Sequence, residues 1–127
     1  MKVEDRYKKI KLIDIINKKI IEYNLLEIRK IYKIRFGESY KRLFKKKINW
    51  VDLILNSLFG KHEKFDYQQA RSEKGHPDLL IRRKKNNKIE KIYVELKYNN
   101  DDLRISQIEW ILKNNNKKTF ILCLSWK

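Results

Sequence analysis

The feature that most restricts the fold of this chain is a pair of apolar runs separated by two asparagines. Residues 79–83 and 89–97 have the composition of strands, and Asn86 and Asn87 lie between them. Asparagine tolerates the left-handed backbone conformation that a tight hairpin turn requires. The sequence therefore predicts an antiparallel hairpin over this region.

The second strand of this hairpin contains two charged residues at alternate positions. In the run IYVELK (92–97), the even-numbered side chains are apolar and share one face, whereas Glu95 and Lys97 point to the other. Asp78 follows Pro77 at the entrance to the first strand, a position that suits proline because it has no backbone donor. Antiparallel pairing can bring Asp78 close to Glu95, which would give two carboxylates and one ammonium group at one sheet edge.

Two adjacent carboxylates repel each other unless a cation lies between them. Mg²⁺ accepts one or two carboxylates together with phosphate oxygens of a substrate. Such an ion polarises a phosphodiester and lowers the pKa of bound water, and a neighbouring lysine can orient that water or stabilise developing charge. A turn after proline and a Glu-x-Lys pair are each common structural features, so the hypothesis of a metal-dependent nuclease depends on their combination.

The charge of the chain favours a polyanionic partner. Lys and Arg number 32 against 16 Asp and Glu, which leaves a formal net charge of +16, while 42% of the residues are hydrophobic. The chain is therefore expected to form one globular domain over residues 1–127, with nucleic acid as the first candidate partner. An anionic membrane surface is the second candidate, although the first predicted helix lacks the tryptophan that membrane-surface helices favour.

Compartment and redox state follow from a few further features. The single cysteine, Cys123, lies in an apolar run and permits neither an intrachain disulfide nor a cysteine-based zinc site. The first residues alternate charges and no apolar run approaches membrane-spanning length, so neither a signal peptide nor a transmembrane helix is expected. The expected location is the cytoplasm, or the host cytoplasm if the source is viral.

The first 36 residues are predicted to form one or two amphipathic helices, which would pack on the core or on a second copy of the chain. This prediction depends on apolar residues at helical spacing: Leu12, Ile16, Ile20, Ile28, Ile31 and Ile34.

Beyond Gly37 the pattern predicts alternating helices and strands. A helix spans the apolar positions of residues 40–58 and is stopped by Gly60, and a short strand covers residues 65–69. After the hairpin, Asp101 or Asp102 would cap a helix over residues 103–114, and residues 119–126 would form a buried last strand. The predicted order is α-β-β-β-α-β, an α/β fold with a mixed central sheet.

Pro77-Asp78, Glu95-Leu96-Lys97 and this element order resemble the PD-(D/E)xK nuclease superfamily, whose core is the restriction-endonuclease-like αβββαβ fold. The likeness is closest to its VRR-NUC and archaeal Holliday-junction-resolvase-like branches. Residues 75–78 resemble the Gly-x-Pro-Asp motif of VRR-NUC domains. Residues 102–110 resemble their Asp-Arg-Leu-Ser-x-x-Gln-x-x-Trp stretch, displaced by one or two positions. The resemblance covers residue 38 to the C-terminus and leaves the first 36 residues as a helical extension of the 37–127 core.

The resemblance implies a role for each residue of the motif. Asp78, Glu95 and the carbonyl of Leu96 would bind Mg²⁺ or Mn²⁺, and Lys97 would position the attacking water. Gln107 would help to place the water or Lys97. The alternative, that Gln107 is an ordinary solvated helix residue, is rated equally. The family usually adds an acid from the preceding helix: Glu38 is the first choice, Asp52 the second and Glu27 the third.

The substrate implied by the resemblance is DNA, cut to leave a 3′-hydroxyl and a 5′-phosphate. Basic or polar residues near the motif are expected to contact DNA without reading its sequence: Arg71, Lys74, His76, Arg82, Arg83 and Arg104, with the lysines of the hairpin tip. A homodimer is expected by analogy, because many stand-alone members cut two strands. The competing hypothesis is a basic nucleic-acid-binding module that has kept the fold and lost the chemistry.

Overall fold

The computed structural model describes residues 9–37, 50–66, 75–99 and 101–125. Six strands lie in these ranges: β1 (Lys9–Asp14), β2 (Lys19–Tyr23), β3 (Glu63–Asp66), β4 (Leu79–Lys85), β5 (Lys88–Tyr98) and β6 (Thr119–Ser125). Three helices lie in the same ranges: α1 (Leu25–Phe36), α2 (Trp50–Phe59) and α3 (Ile105–Lys113). None of these helices is long and apolar enough to cross a membrane.

The six strands form one mixed sheet in the order β2-β1-β6-β5-β4-β3. Strands β5 and β6 are parallel and are connected through α3, while every other neighbouring pair is antiparallel. The predicted α/β class with a mixed sheet is confirmed, and the arrangement is compatible with a restriction-endonuclease-like fold.

The main hydrophobic core lies between one face of the sheet and helices α1 and α2. Ile81, Ile92 and Leu122 contribute fully buried side chains from three adjacent strands, and Ile28 and Ile54 contribute them from the two helices. Each such side chain stabilises the fold by about 1.5–3 kcal/mol relative to exposure. Helix α3 covers the other face, where Glu95 and Lys97 project.

The predicted helix over the first part of the chain is wrong. Residues 9–23 form the β1–β2 hairpin, and β1 pairs with β6 near the middle of the sheet. The side chain of Asp14 closes the turn by accepting hydrogen bonds from Asn17, and Lys18 has a φ of 54°. In β1, Ile10 and Leu12 point into the core two residues apart, which is the period of a strand. The spacing of four between Leu12, Ile16 and Ile20, which suggested a helix, does not correspond to a buried face. The second predicted helix is confirmed as α1.

The predicted β4–β5 hairpin is confirmed, and its turn sets the register of the two strands. Asn86 and Asn87 both have left-handed backbones, with φ of 53° and 64°. This two-residue turn pairs Lys85 with Lys88 and, six pairs further on, Leu79 with Val94. One step beyond that pair along both strands, the same register brings Asp78 opposite Glu95.

The start of α3 differs from the prediction. Its N-cap is Arg104, so neither Asp101 nor Asp102 caps it. An Asp101 side-chain oxygen instead accepts from the backbone N–H of Tyr98 at 3.4 Å, and Gln107 accepts from the backbone N–H of Arg104 at 2.8 Å. The two aspartates therefore belong to the loop before the helix.

The remaining boundaries shift by a few residues. Strand β3 occupies 63–66 where 65–69 was predicted, and residues 67–74 lie outside the described ranges. Helix α2 ends at Phe59 with Gly60 at a φ of 77°, as the predicted stop at Gly60 requires. The first half of that predicted helix, residues 40–49, also lies outside the described ranges.

Candidate active site

Asp78 and Glu95 meet at the entrance of β4. The hairpin register brings them opposite each other, and the backbone N–H of Leu96 donates to Asp78 Oδ2 at 2.9 Å. The Asp78 side chain is close enough to that of Glu95 to raise its pKa. The structure thus brings together the two carboxylates that the sequence singled out.

Glu95 is a buried acid whose surroundings disfavour its charge. Its side chain is 4% exposed. Burial is the first cause that raises its pKa, to about 8, and the hydrogen bond with Asp78 and the charge of Asp78 raise it further, against the opposing charges of Lys97 and Arg104. Without a bound cation, Glu95 therefore holds its proton at neutral pH.

Gln107 connects Glu95 to Lys97. Its side chain is buried, its Nε2 donates to Glu95 Oε1 at 2.9 Å, and its Oε1 accepts from Lys97 Nζ at 3.0 Å. The same oxygen accepts the backbone N–H of Arg104, and this fixes which end of the amide faces Glu95, because a backbone N–H only donates. Lys97 Nζ lies 3.8 Å from Glu95 Oε1. Gln107 is thus a positioning residue for both partners.

These side chains line an open pocket of about 420 Å³. The exposed residues Asp101, Asp102 and Arg104 form its outer wall, and Leu96, next to Glu95 in β5, also lines it. Sequence reasoning missed the two aspartates as site residues because their position before a helix suggested a capping role. The pocket carries both signs of charge, which suits a cation together with an anionic substrate.

Gly75 allows the loop that carries Asp78 to pack directly on the first turn of α3. It has a φ of 78°, and a Cβ built there would lie 1.9 Å from the carbonyl oxygen of Ser106 and 2.8 Å from the backbone nitrogen of Gln107. Only a residue without a side chain permits this approach. Gly75 therefore permits the Asp78 loop to lie against the helix that supplies Gln107.

Comparison with known protein families shows the family of this chain. The family model described as the VRR-NUC domain matches residues 23–123, most of the chain. The chain belongs to the VRR-NUC family. The resemblance to VRR-NUC domains is confirmed, and the match indicates a nuclease-type function. The match begins at Tyr23 and so includes α1. Comparisons with curated proteins and with solved structures found no match.

Neither of the two described candidates for the further acid that the resemblance implies, Asp52 and Glu27, lines the pocket. Glu27 lies in the capping box of α1, where its side chain accepts from the backbone N–H of Asn24 at 3.0 Å. Asp52 forms an ion pair with Lys64 of β3. The first choice, Glu38, lies outside the described ranges.

His76 lies beside the motif but packs into an aromatic cluster. Its ring centroid is 5.1 Å from that of Trp110 and 5.9 Å from that of Tyr93. Its Nδ1 lies 3.0 Å from the carbonyl oxygen of Pro77 and must carry the proton of that hydrogen bond, because a carbonyl only accepts. His76 thus braces the loop of Asp78, and it does not line the pocket.

The other residues expected to contact DNA divide by position. Arg104 is exposed and lines the pocket. Arg83 is half-buried and donates to Glu90 Oε1 at 2.7 Å and to the carbonyl of Phe59 at 2.6 Å. Arg82 lies in mid-strand, opposite Glu63 of β3 and Lys91 of β5. Arg71 and Lys74 lie outside the described ranges.

The donor set fits a hard divalent cation. No group of three or more His, Cys, Asp or Glu side chains that could hold a metal ion occurs in the described part of the chain, so the described candidate ligands are the two carboxylates of Asp78 and Glu95. Their mutual proximity contributes to the raised pKa of Glu95, and a cation in place of the proton would relieve that cost. Mg²⁺ is commonly held by one or two carboxylates, with water and substrate phosphates completing its shell.

Proposed function

We propose that this chain is a Mg²⁺- or Mn²⁺-dependent DNA endonuclease that hydrolyses phosphodiester bonds. The observation that carries the proposal is the juxtaposition of Asp78 and Glu95 in an open polar pocket beside Lys97. The VRR-NUC match supports the reaction class, and the carboxylate pair supports the metal.

Asp78 and Glu95 would hold the cation, together with the carbonyl oxygen of Leu96. A divalent ion bound there supplies polarisation of the phosphodiester and a lowered pKa for bound water. Asp78 is anchored to the β5 backbone, and Glu95 is oriented by Gln107, so the two carboxylates are preorganised for this task.

Lys97 provides the positive charge that a phosphate requires in the transition state. Its ammonium group is fixed by Gln107 Oε1, so it acts from a defined position in a pocket that excludes part of the bulk water. Arg104, on the outer wall, is placed to contact a neighbouring backbone phosphate. Hydrolysis in this family would leave a 3′-hydroxyl and a 5′-phosphate.

A second candidate function is nucleic-acid binding without cleavage. The net charge of +16 favours this function equally. Binding alone, however, gives no reason for a buried Glu95 beside Asp78 and linked through Gln107 to Lys97. Preference for junction, flap or duplex DNA, a homodimer and a cytoplasmic location stay predictions. A dimer contact through an N-terminal helix formed by residues 9–23 is ruled out, because these residues form strands.

The test is cleavage of labelled linear, flap and four-way DNA with Mg²⁺, Mn²⁺ or EDTA. We expect cleavage with either metal and none with EDTA. Asp78→Asn and Glu95→Gln should abolish cutting and leave DNA binding intact, whereas Glu63→Gln removes an exposed carboxylate from β3 and should cut like the parent. Cleavage by Glu95→Gln at the parent rate would show that the catalytic assignment is wrong.

A further inference from the structure

A second groove with basic walls lies at the tip of the β4–β5 hairpin. It has a volume of about 470 Å³, and its described lining includes five cationic side chains and no carboxylate. The five, which together define the hairpin-tip groove, are Arg35, Lys61, Arg83, Lys84 and Lys85. They come from α1, from the residue after Gly60 and from β4.

The two arginines have structural roles that fix the floor of the groove. Arg35 donates to the carbonyl of Leu58 at 3.4 Å and Arg83 donates to the carbonyl of Phe59 at 2.6 Å, so both neutralise the negative end of α2. Arg83 also pairs with Glu90, and although burial alone would raise the pKa of Glu90, this pairing and that with Lys118 lower it. Helix capping therefore accounts for the two arginines.

Helix capping does not account for the three lysines. The side chains of Lys61, Lys84 and Lys85 are exposed, and none of the three ammonium groups forms a hydrogen bond or ion pair with another described residue. Like charges on one groove, within a Debye length of about 8–10 Å, repel one another, and a bound polyanion would relieve that repulsion.

The hairpin-tip groove is separate from the candidate active site. Leu79, beside Asp78, and Lys85 lie at opposite ends of β4, and six strand steps of about 3.3 Å put them roughly 20 Å apart. No single phosphate can contact both places. The two places also lie on different faces of the sheet. Arg83 and Lys85 follow the core residues of β4 at alternate positions, on the face that packs against α1 and α2, whereas Glu95 projects from the other face.

The chemistry of the lining favours a phosphate backbone over a protein partner. Phe59 is the one apolar side chain in the described lining and it is buried, so the groove offers no exposed apolar anchor of the kind that protein interfaces use. Lysine without acidic partners is suited to phosphate as a point charge.

We propose that the hairpin-tip groove binds the phosphodiester backbone of nucleic acid at a position remote from the bond that is cut. The proposal rests on the proposed function for its choice of DNA as the nucleic acid. The backbone belongs to the substrate molecule at a distance from the bond that is cut, or to a second segment of DNA.

The experiment compares two triple variants with equal loss of charge. Lys61→Gln/Lys84→Gln/Lys85→Gln alters the groove, and Lys18→Gln/Lys19→Gln/Lys113→Gln alters three exposed lysines elsewhere. Affinity for a 24-base-pair duplex is measured in EDTA at several salt concentrations, so the readout does not depend on cleavage. Each phosphate contact adds about 0.9 to the slope of log K against log salt.

We expect the groove variant to reduce that slope by about two relative to the control variant, with an affinity loss of about tenfold at moderate salt. Binding stoichiometry with a short duplex separates the two sources of backbone. If the parent and the groove variant each bind one duplex per chain, the groove contacts the same DNA molecule as the active site. If the parent binds two duplexes per chain and the groove variant binds one, the groove holds a second segment of DNA.

Equal slopes for the two variants would overturn the proposal. A groove variant that loses affinity for polyglutamate, an anionic polypeptide, but keeps its affinity for DNA would also overturn it. A chain that cuts no DNA but shows the slope difference would refute the proposed nuclease function and leave the groove intact. If the parent cuts DNA and the two variants have equal slopes, the groove proposal is wrong and the proposed nuclease function stands.

Discussion

The backbone N–H of Leu96 and the carboxylate of Asp78 are joined by a hydrogen bond of 2.9 Å across the hairpin. This bond ties the first carboxylate of the site to the residue directly after the second, Glu95. The two acids therefore keep their relative position although they belong to different strands.

Asp78→Asn and Asp78→Ala should differ in stability and agree in activity. Asparagine keeps an oxygen that can accept from Leu96, whereas alanine leaves that N–H without its acceptor at a cost of about 1–3 kcal/mol. Both variants lose a negatively charged ligand, so neither should cut DNA. Urea unfolding in EDTA measures the first effect, and equal unfolding free energies for the two variants would contradict the role of this hydrogen bond.

Gln107→Leu should lower kcat by about 10–100-fold with little change in KM, as removal of a group that orients metal ligands does. The leucine fills the buried site but holds neither Lys97 nor Glu95. The matched control is Glu109→Gln, an exposed position two residues along the same helix, which should leave kcat unchanged. A Gln107→Leu enzyme with the kcat of the parent would show that Gln107 does not position Lys97 and Glu95 for catalysis.

Gly75→Ala should destabilise the protein by more than Gly37→Ala does. Both glycines have a left-handed φ, 78° and 68°, so both substitutions incur backbone strain of about 1 kcal/mol. At Gly37 nothing lies within 4 Å of the added Cβ, whereas at Gly75 the Cβ overlaps the carbonyl of Ser106. We expect Gly75→Ala alone to impair cleavage, because the Asp78 loop must move away from α3. Equal losses of stability and activity would show that the close packing has no role.

The metal-free protein should become less stable as pH rises from about 4.5 to 8. The pKa of Glu95 is raised from 4.5 to about 8, so across this range the folded protein holds a proton that the unfolded chain has released. Stability is therefore greatest below the lower value and is lost as pH approaches the upper one. Glu95→Gln has no such proton to release. Urea unfolding in EDTA at pH 5, 6.5 and 8 should show a steeper decline for the parent than for Glu95→Gln, and parallel declines would refute the raised pKa.

Local patterns were sufficient to predict the centre of the site. Asn86 and Asn87 indicated a two-residue turn, and that turn sets the register that brings Asp78 opposite Glu95. The alternation in β5 indicated which face carries Glu95 and Lys97. These features depend on residues close in sequence, where backbone preference and strand period act directly.

Features that depend on distant contacts could not be predicted from these patterns. Strand β1 is stabilised by pairing with β6, more than one hundred residues away, and its own short alternation competes with an accidental helical spacing. The role of Gly75 requires α3 to be in place, because the group that excludes a side chain is the carbonyl of Ser106. The position of Asp101 and Asp102 in the pocket wall depends on α3 starting later than the capping rules suggested.

We propose that Asp78 and Glu95 share one divalent cation. Calorimetric titration of Mn²⁺ into the parent, Asp78→Asn, Glu95→Gln and the double variant tests it most directly, without any need for cleavage. We predict one site in the parent, a large loss of affinity in each single variant, and no further loss in the double variant, because the first substitution already removes the shared ion. Parent-like Mn²⁺ affinity in either single variant, or losses that simply add, would contradict the claim.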